Sequence, residues 1–318
     1  MNRVFLLILF FFAGNLLAQP YPSRPIRFLM TAPAGSSIDV IGRLLADKMR
    51  EPLGQPVVVE PRPGAGGTLA TDLAAKSAPD GYTLVLSFNG PLAFGPHLYA
   101  KLPYDPFRDL APVVLTTSQP NLLVVNATLP VKSVRELIDY ARARPGQLNY
   151  SSVGNGSSSH LTMELLKHSA QLYIVHIPFN GSPPAAASVA ANETQLLFTV
   201  PTALTPLITA GRLRPLAVSG RTRYALMPEV PTVEETGLKG FDAMAWNGVL
   251  VPAGTPATVV ARLNREINAA LKSADVRQKL HAAGLEPVGG SAEDFARLMR
   301  AESERWAPII KRAGARID

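Results

Sequence analysis

Two stretches of this chain run from a short apolar strand through a loop of small residues into a helix, and that pattern limits the fold more than any other feature. The first is Phe28-Leu-Met-Thr-Ala-Pro-Ala-Gly-Ser-Ser-Ile-Asp-Val-Ile-Gly-Arg43, where an apolar strand over 26–30 gives way to Ile38, Ile41, Leu44 and Leu45 at helical spacing. The second is Tyr150-Ser-Ser-Val-Gly-Asn-Gly-Ser-Ser-Ser-His-Leu161, which follows a strand at 147–150 and leads into Leu165 and Leu166. The first turn of a helix has backbone N–H groups without partners and carries partial positive charge, so each loop is a seat for a carboxylate or phosphate. Gly154 and Gly156 allow close backbone approach, and the serines supply hydroxyls. A single such loop reads as an ordinary helix cap by Ser157 or Ser158. Two of them, far apart in sequence, can face each other across a cleft and share one anion.

The other elements fit that arrangement. A β-branched strand at 56–60, a helix opened by Gly64-Ala-Gly-Gly67, and a strand at 82–86 ending in Ser87-Phe-Asn-Gly90 repeat the strand–helix–strand order of a mostly parallel sheet flanked by helices. Ligands bind such sheets beyond the carboxyl ends of the strands, where the loops at 31–37 and 87–90 lie. The glycine run at 64–67 lacks the dinucleotide fingerprint and is not assigned a nucleotide. A strand at 121–126 opens a second set of elements. It contains a helix capped by Ser133-Val-Arg-Glu136, strands at 173–177, 195–199 and 213–218, an alanine-rich helix after Pro184, and a helix at 202–210. A proline-rich connection at 221–241 leads to a strand at 246–251, a helix from Thr255-Pro256 to Leu271, and a last helix at 291–312.

Composition narrows the class. At 318 residues, 47% apolar and 17% charged, the chain is long enough for two globular units. Its charge of +7 is scattered with no basic block, which argues against a nucleic-acid partner and for a diffuse field that favours small anions. Met1-Asn-Arg3, the apolar run 4–13 and Leu16-Leu17-Ala18 read as a secretory signal peptide over 1–18, too short to span a membrane. The chain contains no cysteine, so a lipid anchor at the cleavage site, a disulfide framework and a thiolate metal ligand are all ruled out. The mature chain is expected free in a bacterial periplasm.

Tyr21-Pro-Ser-Arg-Pro-Ile26, Pro33-Ala-Gly, Pro79-Asp-Gly-Tyr-Thr-Leu84, Leu102-Pro-Tyr-Asp105, Ser157-Ser-Ser-His-Leu161, Pro228-Glu-Val-Pro-Thr232 and Pro252-Ala-Gly-Thr-Pro256 occur together and in order. With them the chain resembles the tripartite tricarboxylate transporter substrate-binding proteins, the Bug or TctC family, over essentially its whole mature length. The resemblance implies an α/β, two-lobe periplasmic-binding-protein fold of the Venus-flytrap, type II-like kind, each lobe a mostly parallel sheet flanked by helices. Lobe 1 is expected to comprise 19–121 with 245–318, and lobe 2 to comprise 122–244. It further implies a monomer that binds a small organic carboxylate, partly through ordered water, and passes it to a two-subunit membrane permease. Two departures stand out. Ser36 occupies the place of a usual second glycine, and the strand ending Phe198-Thr199 lacks the acidic residue common there, which favours a plain acid over an amino acid.

The expected ligand contacts are Ala34, Gly35, Ser36, Ser37 and Asp39 on the first loop and Ser152, Asn155, Ser157, Ser158 and Ser159 on the second. Asn89, Asn180, Gly181 and Thr199 join them from other loops. Asp39 is read chiefly as the acidic member of a Ser-x-x-Asp cap that orders the amides, because a bare carboxylate would repel an anion. His160, in the first helical turn, is expected neutral and locally bonded. Phe94 and Trp246 are assigned to core packing. Three or four charge-assisted hydrogen bonds at ~1.5–3 kcal/mol each give roughly 5–12 kcal/mol, enough for micromolar binding without a basic side chain. No catalytic residue, metal or cofactor is expected. A secreted serine hydrolase would need a Gly-x-Ser-x-Gly elbow, which the sequence lacks, and a histidine oriented by an acid; of the five histidines only His160 lies near a serine-rich loop, and spacing names no Asp or Glu partner for it. An adaptor for a membrane sensor kinase would use the same cleft and differ only on its outer surface.

Overall fold

The computed structural model describes residues 21–317, so the expected signal peptide at 1–18 lies outside the described residues. Two five-stranded sheets organise the chain, one in each lobe. The first is ordered β2-β1-β3-β10-β4, with β1 Ile26–Met30, β2 Val57–Pro61, β3 Thr83–Phe88, β4 Leu110–Pro120 and β10 Met244–Pro252. The second is ordered β7-β6-β8-β5-β9, with β5 Leu122–Asn126, β6 Asn149–Ser152, β7 Val175–Pro178, β8 Leu196–Thr199 and β9 Leu213–Val218. The two sheets are built alike. In each, four strands run one way and one, β10 or β5, runs against its two neighbours. The α/β two-lobe fold expected from the sequence is therefore present, with mixed sheets.

The helices that cover these sheets are α1 Ser37–Leu53, α2 Thr68–Ala75, α3 Gly95–Leu98, α4 Val134–Arg142, α5 Ser158–Ala170, α6 Ser182–Ala190, α7 Thr205–Thr209, α8 Ala257–Lys272, α9 Ala274–Ala282 and α10 Ala292–Ala313. Strand β1 buries Ile26, Phe28, Leu29 and Met30, and α1 lays Ile38, Ile41, Leu45 and Met49 against it. Fully burying such a side chain contributes about 1.5–3 kcal/mol, so these stripes hold the strand–loop–helix units in place. Phe94 packs on Trp306 of α10 at 4.9 Å between ring centroids, and Trp246 of β10 meets Phe295 edge-on at 5.7 Å. Phe94 thus lies in the core, as its sequence setting suggests.

Caps end the helices where the sequence places them. The Ser133 hydroxyl accepts from the Glu136 N–H at 3.1 Å, while the Glu136 carboxylate accepts from the Lys132 N–H at 2.7 Å. Ser133→Ala is expected to lower unfolding stability by about 1 kcal/mol, and Ser133→Gly by a few tenths, in urea titrations. Equal losses for the two substitutions would contradict a capping role.

The chain passes between lobes at Asn121, which joins β4 to β5, and again between β9 and β10. Ser219 ties these crossings: its N–H donates to the Asn121 carbonyl at 2.9 Å, its hydroxyl oxygen accepts from the Asn121 N–H at 2.8 Å, and its carbonyl accepts from the Ala243 N–H at 2.9 Å.

Candidate ligand site between the lobes

The loop between β1 and α1 is shaped by its own hydrogen bonds. The Ser36 hydroxyl donates to the Pro33 carbonyl at 2.6 Å and accepts from the Asp39 N–H at 3.3 Å. Asp39 accepts from the Gly35 N–H at 3.1 Å and pairs with Arg43 at 2.7 Å. Asp39 therefore faces the loop backbone and Arg43 and does not line the cavity between the lobes. This leaves the N–H groups of Ser37 and Ile38, at the open end of a 17-residue helix, free of intrahelical partners.

The loop between β6 and α5 repeats the arrangement. The Ser157 hydroxyl donates to the Gly154 carbonyl at 2.6 Å and accepts from the His160 N–H at 3.2 Å. The His160 Nδ1 accepts from the Gly156 N–H at 3.1 Å, which makes the imidazole a local acceptor. Burial, followed by the nearby Lys167 charge, depresses its pKa to about 4, so it is neutral at ordinary pH. Its ring stacks on His176 at 4.1 Å, and His176 in turn stacks on Tyr150 at 4.7 Å. The Ser152 hydroxyl shares a 2.7 Å hydrogen bond with His176 Nε2 and accepts from the Gly154 N–H at 3.2 Å. Both glycines of the loop are thus held by a histidine, one of them through a serine.

Between the lobes lies a cavity that leaves about 60 Å3 for the centres of water-sized molecules. Of the residues nominated from sequence, Ser36, Ser37, Asn89, Ser158, Asn180, Gly181 and Thr199 line it together. The others do not. Ala34 and Gly35 are exposed on the first loop outside the cavity, Asp39 is turned to the Gly35 N–H and Arg43, and Asn155 sits in a neighbouring recess with Tyr99 and Phe179. The hydroxyls of Ser152, Ser157 and Ser159 are occupied within the second lobe, that of Ser159 by the Phe198 carbonyl.

Sequence reasoning missed several lining residues. Gly64, Gly66 and Gly67 line the cavity at the start of α2, as do Asn121, Ser182 of α6, and Ala245, Trp246 and Asn247 of β10. The glycine run after β2 carries the same strand–loop–helix signal as the two nominated loops and could have been found by it. Trp246, assigned to the core from sequence, does pack there but also presents part of itself to the cavity. Every lining residue is apolar or neutral, and the amino ends of α1, α5 and α6 meet there. With no charged side chain in the lining, the helix amino ends supply the partial positive charge at the cavity wall.

The model of the tripartite tricarboxylate transporter family receptor, TctC, matches residues 41–315. The chain belongs to this family. It is 40% identical over 91% of its length to a protein encoded between tcbD and tcbE in Pseudomonas sp. strain P51, covering 86% of that protein. It is 38% identical to protein BugT of Bordetella pertussis, covering 96% of this chain and 94% of BugT. Among solved structures, R. palustris Rpa4515 with adipate superposes with a TM-score of 0.90 at 36% identity, covering 93% of this chain and all of that one. MatC from Rhodopseudomonas palustris with bound malate gives 0.87 at 32% identity over 91% of this chain and all of MatC. The family is one of transporter receptors, and the periplasmic binding protein BugD, 30% identical, superposes with a TM-score of 0.88. Among the described residues no helix is long and apolar enough to cross a membrane, and no cluster of three or more metal-ligating side chains occurs.

Proposed function

We propose that this protein is a periplasmic receptor that captures a small organic carboxylate between its lobes and, as a monomer, delivers it to a two-subunit membrane permease. The observation that carries this reading is the meeting of the α1 and α5 amino ends on a cavity lined by no charged side chain. A carboxylate placed there accepts from first-turn N–H groups and from the free hydroxyls of Ser37 and Ser158. Lobe 1 is read as 19–121 with 245–318 and lobe 2 as 122–244. The signal peptide at 1–18 directs export, and no cysteine is present for a lipid anchor.

Size supports the same conclusion. At ~10–15 Å3 for each water, the cavity has room for roughly four to six waters, or about 120–180 Å3 of liquid. That is the displacement of a compact organic acid, far below that of an oligosaccharide or peptide. The adipate and malate bound by the two solved relatives are acids of this kind. Turnover is not part of the reading, because His160, the histidine nearest Ser158 in sequence, is stacked on His176 and bonded to Gly156.

Isothermal titration with mono-, di- and tricarboxylates tests the proposal. At least one acid is expected to bind at about micromolar Kd. Binding by none, together with ester hydrolysis abolished by Ser158→Ala, would contradict it.

A further inference from the structure

Three asparagines line the cavity beside the crossings between the lobes: Asn89 after β3, bonded to Met244 at the start of β10, Asn121 between β4 and β5, and Asn247 in β10. They are 1%, 1% and 5% exposed. Each spends its amide nitrogen on the protein. Asn89 Nδ2 donates to the Met244 carbonyl at 3.0 Å, Asn121 Nδ2 to Thr162 Oγ1 at 3.1 Å, and Asn247 Nδ2 to Thr117 Oγ1 at 2.8 Å. At Asn89 the orientation is fixed, because only an N–H can face a carbonyl oxygen. The carbonyl oxygens of Asn89 and Asn121 are buried with no hydrogen-bond partner among the described residues.

A buried carbonyl without a donor is destabilising, and native structures rarely leave two unsatisfied on residues that line one cavity. The cavity is therefore polarised. Its helix-end side offers N–H and O–H donors, and its hinge side offers carbonyl acceptors. A molecule that satisfies both sides carries a carboxylate at one end and a hydrogen-bond donor at the other.

We propose that the hinge-side asparagines, Asn89 foremost, select an organic acid bearing a neutral hydroxyl donor away from its carboxylate, and discriminate against a second ionised carboxylate. An ammonium donor has no acidic side chain in the cavity to neutralise it, and a second carboxylate would set negative oxygens against the asparagine carbonyls. This inference rests on the carboxylate reading of the same site and specifies what lies at the ligand's other end.

The test compares matched sets of acids of equal chain length by calorimetry at about pH 7. Each set holds the unsubstituted monocarboxylate, its hydroxylated form and the corresponding dicarboxylate. The hydroxy acid is expected to bind roughly ten- to a hundredfold more tightly than the unsubstituted acid, and more tightly than the dicarboxylate. Relative to the hydroxy acid at the same pH, the dicarboxylate is expected to gain as acidification gives it a protonated, donating carboxyl. Asn89→Leu, checked for folding by its thermal transition, is expected to shrink the hydroxyl advantage to within a few-fold. A dicarboxylate that equals or exceeds its hydroxy acid at about pH 7 overturns the selectivity proposal while leaving the carboxylate reading standing. Failure of every acid overturns both. These wild-type comparisons decide the matter even if the variant does not fold.

Discussion

Gly66→Ala is expected to weaken ligand binding roughly ten- to a hundredfold while leaving unfolding stability within about 1–2 kcal/mol of wild type. Gly66 lies on the lobe 1 loop before α2, and a Cβ built on it would overlap the Asn155 carbonyl oxygen of lobe 2. It is one of several glycines along the seam. A Cβ on Gly90 would lie 2.8 Å from the Gly156 carbonyl oxygen, and one on Gly181 would lie 2.7 Å from Pro33 Cδ. The lobes therefore meet backbone to backbone, and an added methyl group holds them apart. A ligand that binds by closure then loses affinity by the fraction of molecules still able to close. Gly66 has a φ of +60°, so part of any effect is local backbone strain. Gly54 supplies the control: its φ is +67°, yet a Cβ there meets nothing within 4 Å. Gly54→Ala is expected to carry the strain and leave affinity unchanged. Equal affinities for Gly66→Ala and Gly54→Ala in calorimetry would contradict a seam made of glycine.

Acid is expected to destabilise the second lobe through the histidines beneath its loop. Burial holds His160 at a pKa of about 4, and burial with the neighbouring His160 holds His176 at about 3. The unfolded chain binds these protons first, with a pKa of ~6.5, so stability is full above that value and falls as the pH drops towards 4. Each histidine loses at most ~1.4 kcal/mol per pH unit over that window, and the half-buried state of His176 reduces its share. A loss of roughly 3–5 kcal/mol between about pH 7 and 4.5 is expected from the pair. The other charged or titratable groups packed there are Tyr150, Glu164 and Lys167. Glu164 accepts from Tyr150 at 2.5 Å and from Lys167 at 2.6 Å, so its charge is already engaged. Protonation of His160 also removes the acceptor for the Gly156 N–H, and ligand affinity should fall with stability. His160→Asn keeps an acceptor near the Nδ1 position without a proton to gain, and should flatten the stability profile by about half. An unchanged slope in chemical denaturation across this range would contradict the assignment.

Much of this was readable because local chemistry agrees with the fold. Ser36, Ser133, Ser157 and Ser291 cap their helices by accepting from the first-turn N–H three residues on, at Asp39, Glu136, His160 and Asp294. Strand β4 was not readable. Pro112, Pro120 and the polar run at 116–119 interrupt its pattern, and the structure tolerates them because β4 is the last strand of its sheet, paired with β10 on one side and meeting only the short segment 286–289 on the other. Helix α9 buries only Val276 and Leu280, too weak a stripe to detect in advance. The site was half legible for a related reason. Loops that open onto helix N-termini announce themselves in sequence, whereas Asn121 and Asn247 become neighbours only when the chain crosses twice between the sheets. Ser152 and Ser159 show the reverse, since serines in a nominated loop were taken up by partners that only the folded lobe supplies.

A crystal structure of the protein with its tightest-binding acid tests the central claim most directly. The expected result is a carboxylate between the lobes within about 2.7–3.1 Å of the backbone N–H groups opening α1 and α5, with no lysine or arginine side chain touching it. A carboxylate held by a basic side chain, or seated outside the cavity with those N–H groups facing water, would contradict it.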